Sequence, residues 1–218
     1  PFSPALPRDA KWSTAWRGHS DTETLLAGFD AWGIEATVKK TIGMFAFAVW
    51  DRQTRTLMLG RDRLGEKPLY YGWQGNAFLF GSELKALKAH PAFRAEIDRN
   101  ALALLIRHNY IPTPYSIYQG IAKLHPGCLL TVSLDQHEPR VTPYWSGKQV
   151  AEEGSAKPFA GSADEAVDAL EKLLMDAVGQ QMVADVPLGA FLSGGVDSST
   201  VVALMQAQSS RPVRTFSI

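Results

Sequence analysis

The first two thirds of the chain alternate between short apolar runs and polar breaks. The apolar runs fall at 44–50, 56–60, 68–73 and 77–80. Breaks such as Asp-Arg-Gln-Thr and Gln-Gly-Asn separate them. Short aromatic and aliphatic runs between such breaks predict antiparallel strands joined in hairpins. Two further strands are predicted at 128–134 and 140–145, and the first is entered through the turn His-Pro-Gly.

Helical spacing of apolar residues appears at three places in this part. Residues 21–32 place Leu25, Leu26, Phe29 and Trp32 on one face, so they predict an amphipathic helix. Ser20 and Asp21 are both suitable caps for it. A short helix is predicted over 82–90, starting with Ser82, and another over 99–108, capped by Asp98.

The pattern changes after residue 145. Residues 146–161 are small, polar and charged, which predicts a linker. A Ser162/Glu165 capping box then opens a helix of about five turns. A strand over 186–192, a glycine-rich turn over 193–198, a helix over 199–208 and a strand over 213–218 follow. The sequence therefore predicts an α+β part with antiparallel sheets, followed by the start of an α/β doubly wound parallel sheet.

Composition narrows the class of protein. Lys plus Arg and Asp plus Glu number 22 each, so no net field favours nucleic acid or a membrane surface. No apolar run approaches the roughly 20 residues that span a bilayer, and the polar, Pro-rich start does not resemble a signal peptide. Cys128 is the single cysteine, which excludes an internal disulfide and a Cys-based zinc cluster. These observations predict a cytoplasmic protein.

The stretch AFLSGGVDSSTVVALM, residues 190–205, carries the clearest chemistry. A strand that turns into a helix through Ser-Gly-Gly points several backbone N–H groups at one place, where the helix N-terminus adds positive charge. Gly194 and Gly195 would allow positive φ and close approach of an anion. Hydroxyls at Ser193, Ser198 and Ser199 can donate to phosphate oxygens, and Asp197 suits a nucleotide-borne Mg²⁺. The loop lacks the Walker and dinucleotide spacings. The alternative is a tight turn with an ordinary helix cap.

The loop SGGVDSS resembles the pyrophosphate loop of the N-type ATP pyrophosphatases. The wider string from VADVPLG to RTFSI resembles the synthetase domain of the glutamine-dependent asparagine synthetases. That resemblance implies ATP and Mg²⁺. It places pyrophosphate at Ser193, Gly195, Asp197 and Ser198, and adenosine at Leu192 and Ile218.

Four earlier motifs resemble the later part of a class II glutamine amidotransferase domain, an N-terminal-nucleophile (Ntn) fold. They are GHSDTETLL, GMFAFAVWD, GRDRLGEKPLYY and GSELKAL. The resemblance implies a glutaminase part at 1–145, a linker at 146–161 and a synthetase part at 162–218. It implies that Asp21 holds the α-amino group of glutamine and that Met44 lines an ammonia passage. The alternatives are a helix cap for Asp21 and a core methionine for Met44.

The chain also departs from that family. Class II amidotransferases use an N-terminal cysteine as nucleophile, whereas this chain begins with Pro1. Cys128 is predicted to be a small buried side chain, so no catalytic nucleophile is identified. We expect an internal part of an enzyme of about 600 residues, judged from the resemblance and from ordinary domain sizes. The charged residues of the first part are predicted to form a structural ion network: Arg61, Asp62, Lys67 and Glu83.

The resemblance implies glutamine-dependent amidation of a carboxylate, with adenylation by ATP and release of AMP and pyrophosphate. Aspartate is the favoured acceptor. Related enzymes that amidate sugar acids or close a β-lactam ring are alternatives, and so is an inactive, nucleotide-binding or packing fragment. A homodimer is compatible with the exposed face of the first part.

Overall fold

The computed structural model describes residues 18, 20–184 and 186–217. These residues form two compact units that divide between Glu153 and Gly154. The boundary lies inside a helix, α5 (Gly147–Ala156). The sequence predicts only a linker here and misses this helix. Its first turns are supported by side-chain pairs one turn apart, Lys148 with Glu152 and Gln149 with Glu153.

Two antiparallel sheets frame the first unit. Their strands are β1 (Ala46–Asp51), β2 (Thr56–Arg61), β3 (Tyr70–Gln74), β4 (Ala77–Gly81), β5 (Ala122–Lys123), β6 (Cys128–Ser133) and β7 (Arg140–Pro143). One sheet has the strand order β1–β2–β6–β7 and the other β4–β3–β5. The predicted hairpins β1–β2 and β3–β4 are confirmed. The two-residue strand β5 is too short to show alternation in the sequence, and it was not predicted.

The β1–β2 hairpin turn is held by a side chain. The Asp51 carboxylate accepts N–H bonds from Gln53 at 2.8 Å and Thr54 at 3.2 Å. The β3–β4 turn uses Gly75 at φ 61°, where an L side chain would be strained. The β1–β2 turn also contains a residue with positive φ, Arg55 at 52°, so both polar breaks turn through the left-handed region.

Three apolar clusters show how the first unit is layered. Leu59 and Leu130 of one sheet pack with Leu69 and Leu124, which flank strands of the other, so this cluster lies between the sheets. Successive residues of a strand face opposite sides. Accordingly Leu129 lies in a second cluster with Val38 of a helix, and a third cluster joins Leu79 to the helix residue Leu87. Helices thus cover the outer faces of the two sheets.

Four helices accompany these sheets: α1 (Asp21–Trp32), α2 (Ile34–Lys40), α3 (Leu84–Lys88) and α4 (Arg99–His108). Asp98 caps α4 as predicted, by accepting the N–H groups of Asn100 and Ala101. The short helix over 82–90 is wrong in extent, because α3 is preceded by Glu83 in extended conformation and lacks a side-chain cap. Helix α2 was not predicted. It restarts directly after Gly33, whose φ is 81°.

The second unit contains two helices and two short strands. They are α6 (Ala163–Gln181), β8 (Gly189–Phe191), α7 (Val196–Ala207) and β9 (Arg214–Phe216). The predicted capping box is confirmed, with Ser162 and Glu165 each bonded to the other's backbone. Strands β8 and β9 pair in parallel with α7 between them in sequence. None of the helices in the described residues has the length and apolar character needed to cross a membrane.

Candidate functional sites

The glycine loop connects β8 to α7 in the second unit. The helix starts at Val196 rather than at 199, because the chain becomes helical directly after Gly195. Asp197 and Ser198 therefore lie in its first turn. Gly194 has φ 77°, as expected, whereas the positive φ expected for Gly195 is wrong. Gly195 adopts φ −79° and ψ 161°, an extended conformation open to any residue.

Two serine hydroxyls form a hydrogen bond across this loop. The hydroxyls of Ser193 and Ser198 are 2.9 Å apart, and the Ser198 hydroxyl also accepts the N–H of Ser193 at 3.2 Å. The N–H of Gly195 donates to the Ser193 hydroxyl over a longer distance, 3.5 Å. The amide of Ser199 makes the first helical bond, to the carbonyl of Gly195 at 3.1 Å. The loop is thus held in shape by its own serines.

The start of α7 has no side-chain cap. The residue at the cap position is Gly195, which has no side chain to accept a first-turn N–H, and its own N–H donates to the Ser193 hydroxyl at 3.5 Å. Among the described residues the first-turn amides thus have no side-chain cap, which differs from the ordinary cap of the alternative, whereas the tight strand-to-helix turn itself is present. Such amides, together with the helix dipole, favour an anion. The loop from Ser193 to Val196 is exposed, and a Cβ on Gly194 would meet no atom within 4 Å.

Asp197 is the only acidic residue in the first turn of α7, and it is exposed. Within the described ranges, no group of three or more His, Cys, Asp or Glu side chains could hold a metal ion. A divalent cation at this place would therefore take most of its oxygens from a bound ligand, with Asp197 as a single protein carboxylate. This donor set suits Mg²⁺, which commonly binds one or two carboxylates plus phosphates.

Leu192, before the loop, is tied to the neighbouring strand. Its N–H donates to the carbonyl of Phe216 at 2.8 Å, and its carbonyl accepts the hydroxyl of Ser217 at 2.8 Å. Ile218, the other predicted adenosine contact, lies outside the described residues. An open apolar cavity of about 460 Å³ lies beside the loop, and Ser198, Phe191 and Met205 are among its lining residues. Phe191 and Met205 lie within the quoted stretch 190–205 but carry no sequence signal for a site beyond their apolar character.

A second candidate site lies in the first unit, where Asp21 begins α1. Ser20 is the N-cap, because its side chain accepts the N–H of Thr22 at 3.2 Å. The alternative that Asp21 caps this helix is therefore wrong. Among the described residues, the Asp21 carboxylate accepts hydrogen bonds from the hydroxyls of Ser20 and Thr22, at 3.4 and 3.5 Å, and it is exposed. It lines a cavity of about 350 Å³.

This cavity lies between α1 and β1 and also includes Met44. The Met44 side chain is 53% exposed, so the alternative of a core methionine is wrong. Lys67 and Ser82 complete the polar part of the lining. The cavity therefore has a carboxylate and an ammonium group on a mainly apolar wall. Lys67 lies in the quoted GRDRLGEKPLYY motif, but it was predicted to belong to an ion network and not to a site.

The predicted ion network of Arg61, Asp62, Lys67 and Glu83 is wrong. In the described part of the chain, no ion pair joins any two of these residues, and Glu83 pairs with Lys85 instead. Arg61 donates to three backbone carbonyls, and buried Asp62 accepts backbone N–H groups. Burial lowers the pKa of Arg61, and the neighbouring Asp62 charge partly offsets this effect. The backbone, rather than other side chains, supplies these hydrogen bonds of Arg61 and Asp62.

Cys128 is a core residue, as predicted. It is buried in the cluster between the two sheets. Burial raises the pKa of its thiol, because a thiolate is poorly solvated there. A protonated, enclosed thiol is a poor nucleophile, so Cys128 is not part of either candidate site.

Comparison with known proteins gives the family. Residues 8–145 match the family model of the glutamine amidotransferase domain. The chain belongs to that family. The amidotransferase match is followed by a match of residues 169–218 to the asparagine synthase family model. Both candidate sites lie within these matched ranges, the Asp21 cavity in the first and the glycine loop in the second.

Curated relatives confirm the resemblance drawn from the sequence. A glutamine-hydrolysing asparagine synthetase of Bacillus subtilis is 39% identical over 93% of the chain and 33% of its own length. A putative glutamine-hydrolysing asparagine synthetase of Methanocaldococcus jannaschii is 41% identical, over 86% of the chain and 35% of its own length. An amidase of Gibberella zeae is 31% identical, over 86% of the chain and 27% of its own length. The chain thus spans between about a quarter and about a third of the length of these relatives.

Proposed function

We propose that this chain is part of a glutamine-dependent amidotransferase of the asparagine synthetase type. The first part would release ammonia from glutamine. The second would activate a carboxylate with ATP, so that ammonia displaces AMP and gives an amide. The observation that carries the proposal is the uncapped start of α7, in the range matched by the asparagine synthase model, directly after an amidotransferase match.

The glycine loop is proposed to bind the phosphates of ATP. The amides at the start of α7 and the hydroxyls of Ser193, Ser198 and Ser199 would donate to phosphate oxygens. The positive φ of Gly194 turns the chain into the helix, and the lack of a side chain at Gly195 leaves room for the ligand. Donors fixed before binding stabilise the negative charge that develops on the leaving pyrophosphate. Leu192 and Ile218 are proposed to contact adenosine.

Mg²⁺ is proposed to accompany the nucleotide, with Asp197 as its protein ligand. When bound, Mg²⁺ neutralises phosphate charge and polarises the bond that breaks. Without a cation, the exposed Asp197 carboxylate would repel phosphates at the same helix end. A cation between the carboxylate and the phosphates would remove this repulsion.

The cavity between α1 and β1 is proposed to bind glutamine. Asp21 would accept the α-amino group, because an exposed carboxylate with two weak hydroxyl contacts can still take up an ammonium group. Met44 is proposed to line the path of ammonia, which suits an apolar side chain on the wall of that cavity. The nucleophilic cysteine of this class is not identified in the chain.

The finer features of the fold belong to this proposal. The helix–sheet–sheet–helix layering supports an Ntn-type fold for residues 1–145. The parallel pair β8–β9 with α7 between supports the start of a doubly wound sheet in residues 162–218, with 146–161 connecting the two parts. We also propose a cytoplasmic enzyme that acts on small molecules rather than on nucleic acid or membranes, and that forms a homodimer.

The direct test is pyrophosphate release by the complete gene product that contains these residues. We expect release that requires glutamine or ammonia, ATP and aspartate together. The variant Asp21→Asn should raise the KM for glutamine and leave the ammonia-supported rate unchanged. ATP-dependent pyrophosphate release that does not depend on aspartate would exclude the asparagine assignment. No ATP-dependent release with any carboxylate would refute the proposed function.

A further inference from the structure

Asp62 is a fully buried carboxylate that, within the described residues, accepts hydrogen bonds from three backbone N–H groups. One carboxylate oxygen accepts the N–H of Glu66 at 2.9 Å. The other accepts the N–H groups of Lys67 at 3.0 Å and Phe45 at 3.3 Å. The Asp62 N–H donates to the carbonyl of Phe45 at 2.9 Å. One side chain thus joins the segment before β1 to the loop after β2.

Arg61 holds the same loop from its other side. Its guanidinium donates to the carbonyl of Lys67 at 2.8 Å and to that of Gly65 at 2.6 Å. A third bond reaches the carbonyl of Leu124 at 2.6 Å. The N–H of Lys67 is therefore fixed by Asp62 and its carbonyl by Arg61, which leaves its backbone little freedom to move.

Both segments joined by Asp62 contribute to the cavity that contains Asp21. Phe45, with its neighbour Met44, lines one wall, and Lys67 lines another. The side chain of Asp62 is not among the lining residues and is itself inaccessible to solvent. It can influence a ligand only by fixing the distance between these two walls.

We propose that Asp62 is a positioning residue for the amidotransferase site, which sets the place of Lys67 relative to Met44 and Phe45. This inference rests on the proposed binding of glutamine in that cavity. A carboxylate suits the role because its two oxygens accept all three N–H groups. An asparagine would present an amide NH₂ group to at least one of these donors.

The test compares Asp62→Asn with wild type in the complete gene product, with glutamine and with ammonium chloride as nitrogen source. We expect the KM for glutamine to rise by about tenfold or more, since misplacing site residues by about 1 Å costs up to a hundredfold. The ammonia-supported rate should stay within about twofold, because external ammonia does not need the glutamine cavity. General destabilisation of the second unit would lower both activities together, so it would not change their ratio.

Asp98→Asn is the matched control. Asp98 also accepts two backbone N–H groups, at the start of α4, but it does not line the cavity. If Asp62→Asn does not fold, Arg61→Lys replaces it, because this variant keeps the charge and loosens the same loop. A KM for glutamine no higher in these variants than in Asp98→Asn would overturn the inference while the proposed function stands. A wild-type protein without glutamine-dependent activity would overturn both.

Discussion

Replacing Gly195 by aspartate should separate folding from function at the glycine loop. The backbone there is extended, with φ −79° and ψ 161°, so a side chain causes no strain. An added Cβ would meet only the Ser193 hydroxyl, at 3.5 Å. Aspartate at an N-cap accepts first-turn N–H groups and is better than glycine by a few tenths of a kcal/mol. The variant should therefore fold as well as wild type, or slightly better.

The same capping carboxylate should weaken nucleotide binding. The new carboxylate would occupy the amides that are proposed for phosphate, and its charge would repel the ligand. Two unit charges about 4 Å apart interact by about 1 kcal/mol in bulk water and about 4 kcal/mol near a protein surface. These energies correspond to a loss of affinity of roughly 5-fold to 1,000-fold. Gly195→Asn has the same shape and caps the helix without charge, so it measures the effect of occupancy alone.

The assay pairs thermal unfolding with the KM for ATP in pyrophosphate release by the complete gene product. We expect unchanged melting and a raised KM, larger for Asp than for Asn. Gly154→Ala, at a helical position where an added Cβ meets no atom within 4 Å, serves as a control for handling and assay variation. A Gly195→Asp variant with a wild-type KM would refute the assignment of these amides to phosphate. A variant that unfolds would refute the uncapped geometry of α7.

Three further predictions concern stability and reactivity. In Gly72→Ala the new Cβ would lie 1.9 Å from the carbonyl oxygen of Gly120, so backbone must move. We expect a loss of about 1–3 kcal/mol in unfolding experiments, and a melt equal to that of Gly154→Ala would contradict this. Cys128 should react with iodoacetamide only after unfolding, since burial encloses its thiol and raises its pKa; fast labelling of the native protein, followed by mass spectrometry, would show otherwise. The N–H of Ser162 lowers the pKa of Glu165, so its contribution to α6 is present above the unfolded-state pKa and is lost as the pH falls through the folded one. Glu165→Gln should remove that part of the acid dependence measured by circular dichroism, and an unchanged profile would refute it.

The periodic elements could be predicted from the sequence because each carries a local signal. The hairpins show alternating runs and polar turns, and α1, α4 and α6 have side-chain caps at Ser20, Asp98 and Ser162. Elements without such a signal were missed. Strand β5 has two residues, and α5 lies in a segment whose small and charged residues suggested a linker. Its helix depends on pairs such as Lys148 with Glu152, which composition alone does not reveal.

The candidate sites were predictable as motifs but not as geometry. The glycine loop was recognised from its residues, yet only the structure shows that Gly195 is extended and that α7 is uncapped. The charged residues at 61 and 62 suggested ion pairs, whereas both are satisfied by backbone groups far apart in sequence. These backbone contacts of Arg61 and Asp62 place Lys67 in the lining of the Asp21 cavity. Such contacts arise from tertiary packing and leave no periodic trace in the sequence.

The bond between Ser217 and Leu192 has a practical consequence for protein engineering. The hydroxyl that holds the carbonyl of Leu192 comes from a residue 25 positions later in the chain. A shortened version that stops before residue 217 would keep every glycine and serine of the SGGVDSS motif and still lose this anchor. Expression designs for the second unit should therefore be trimmed beyond β9, and a silent loss of nucleotide affinity after tighter trimming would be explained by the missing hydroxyl.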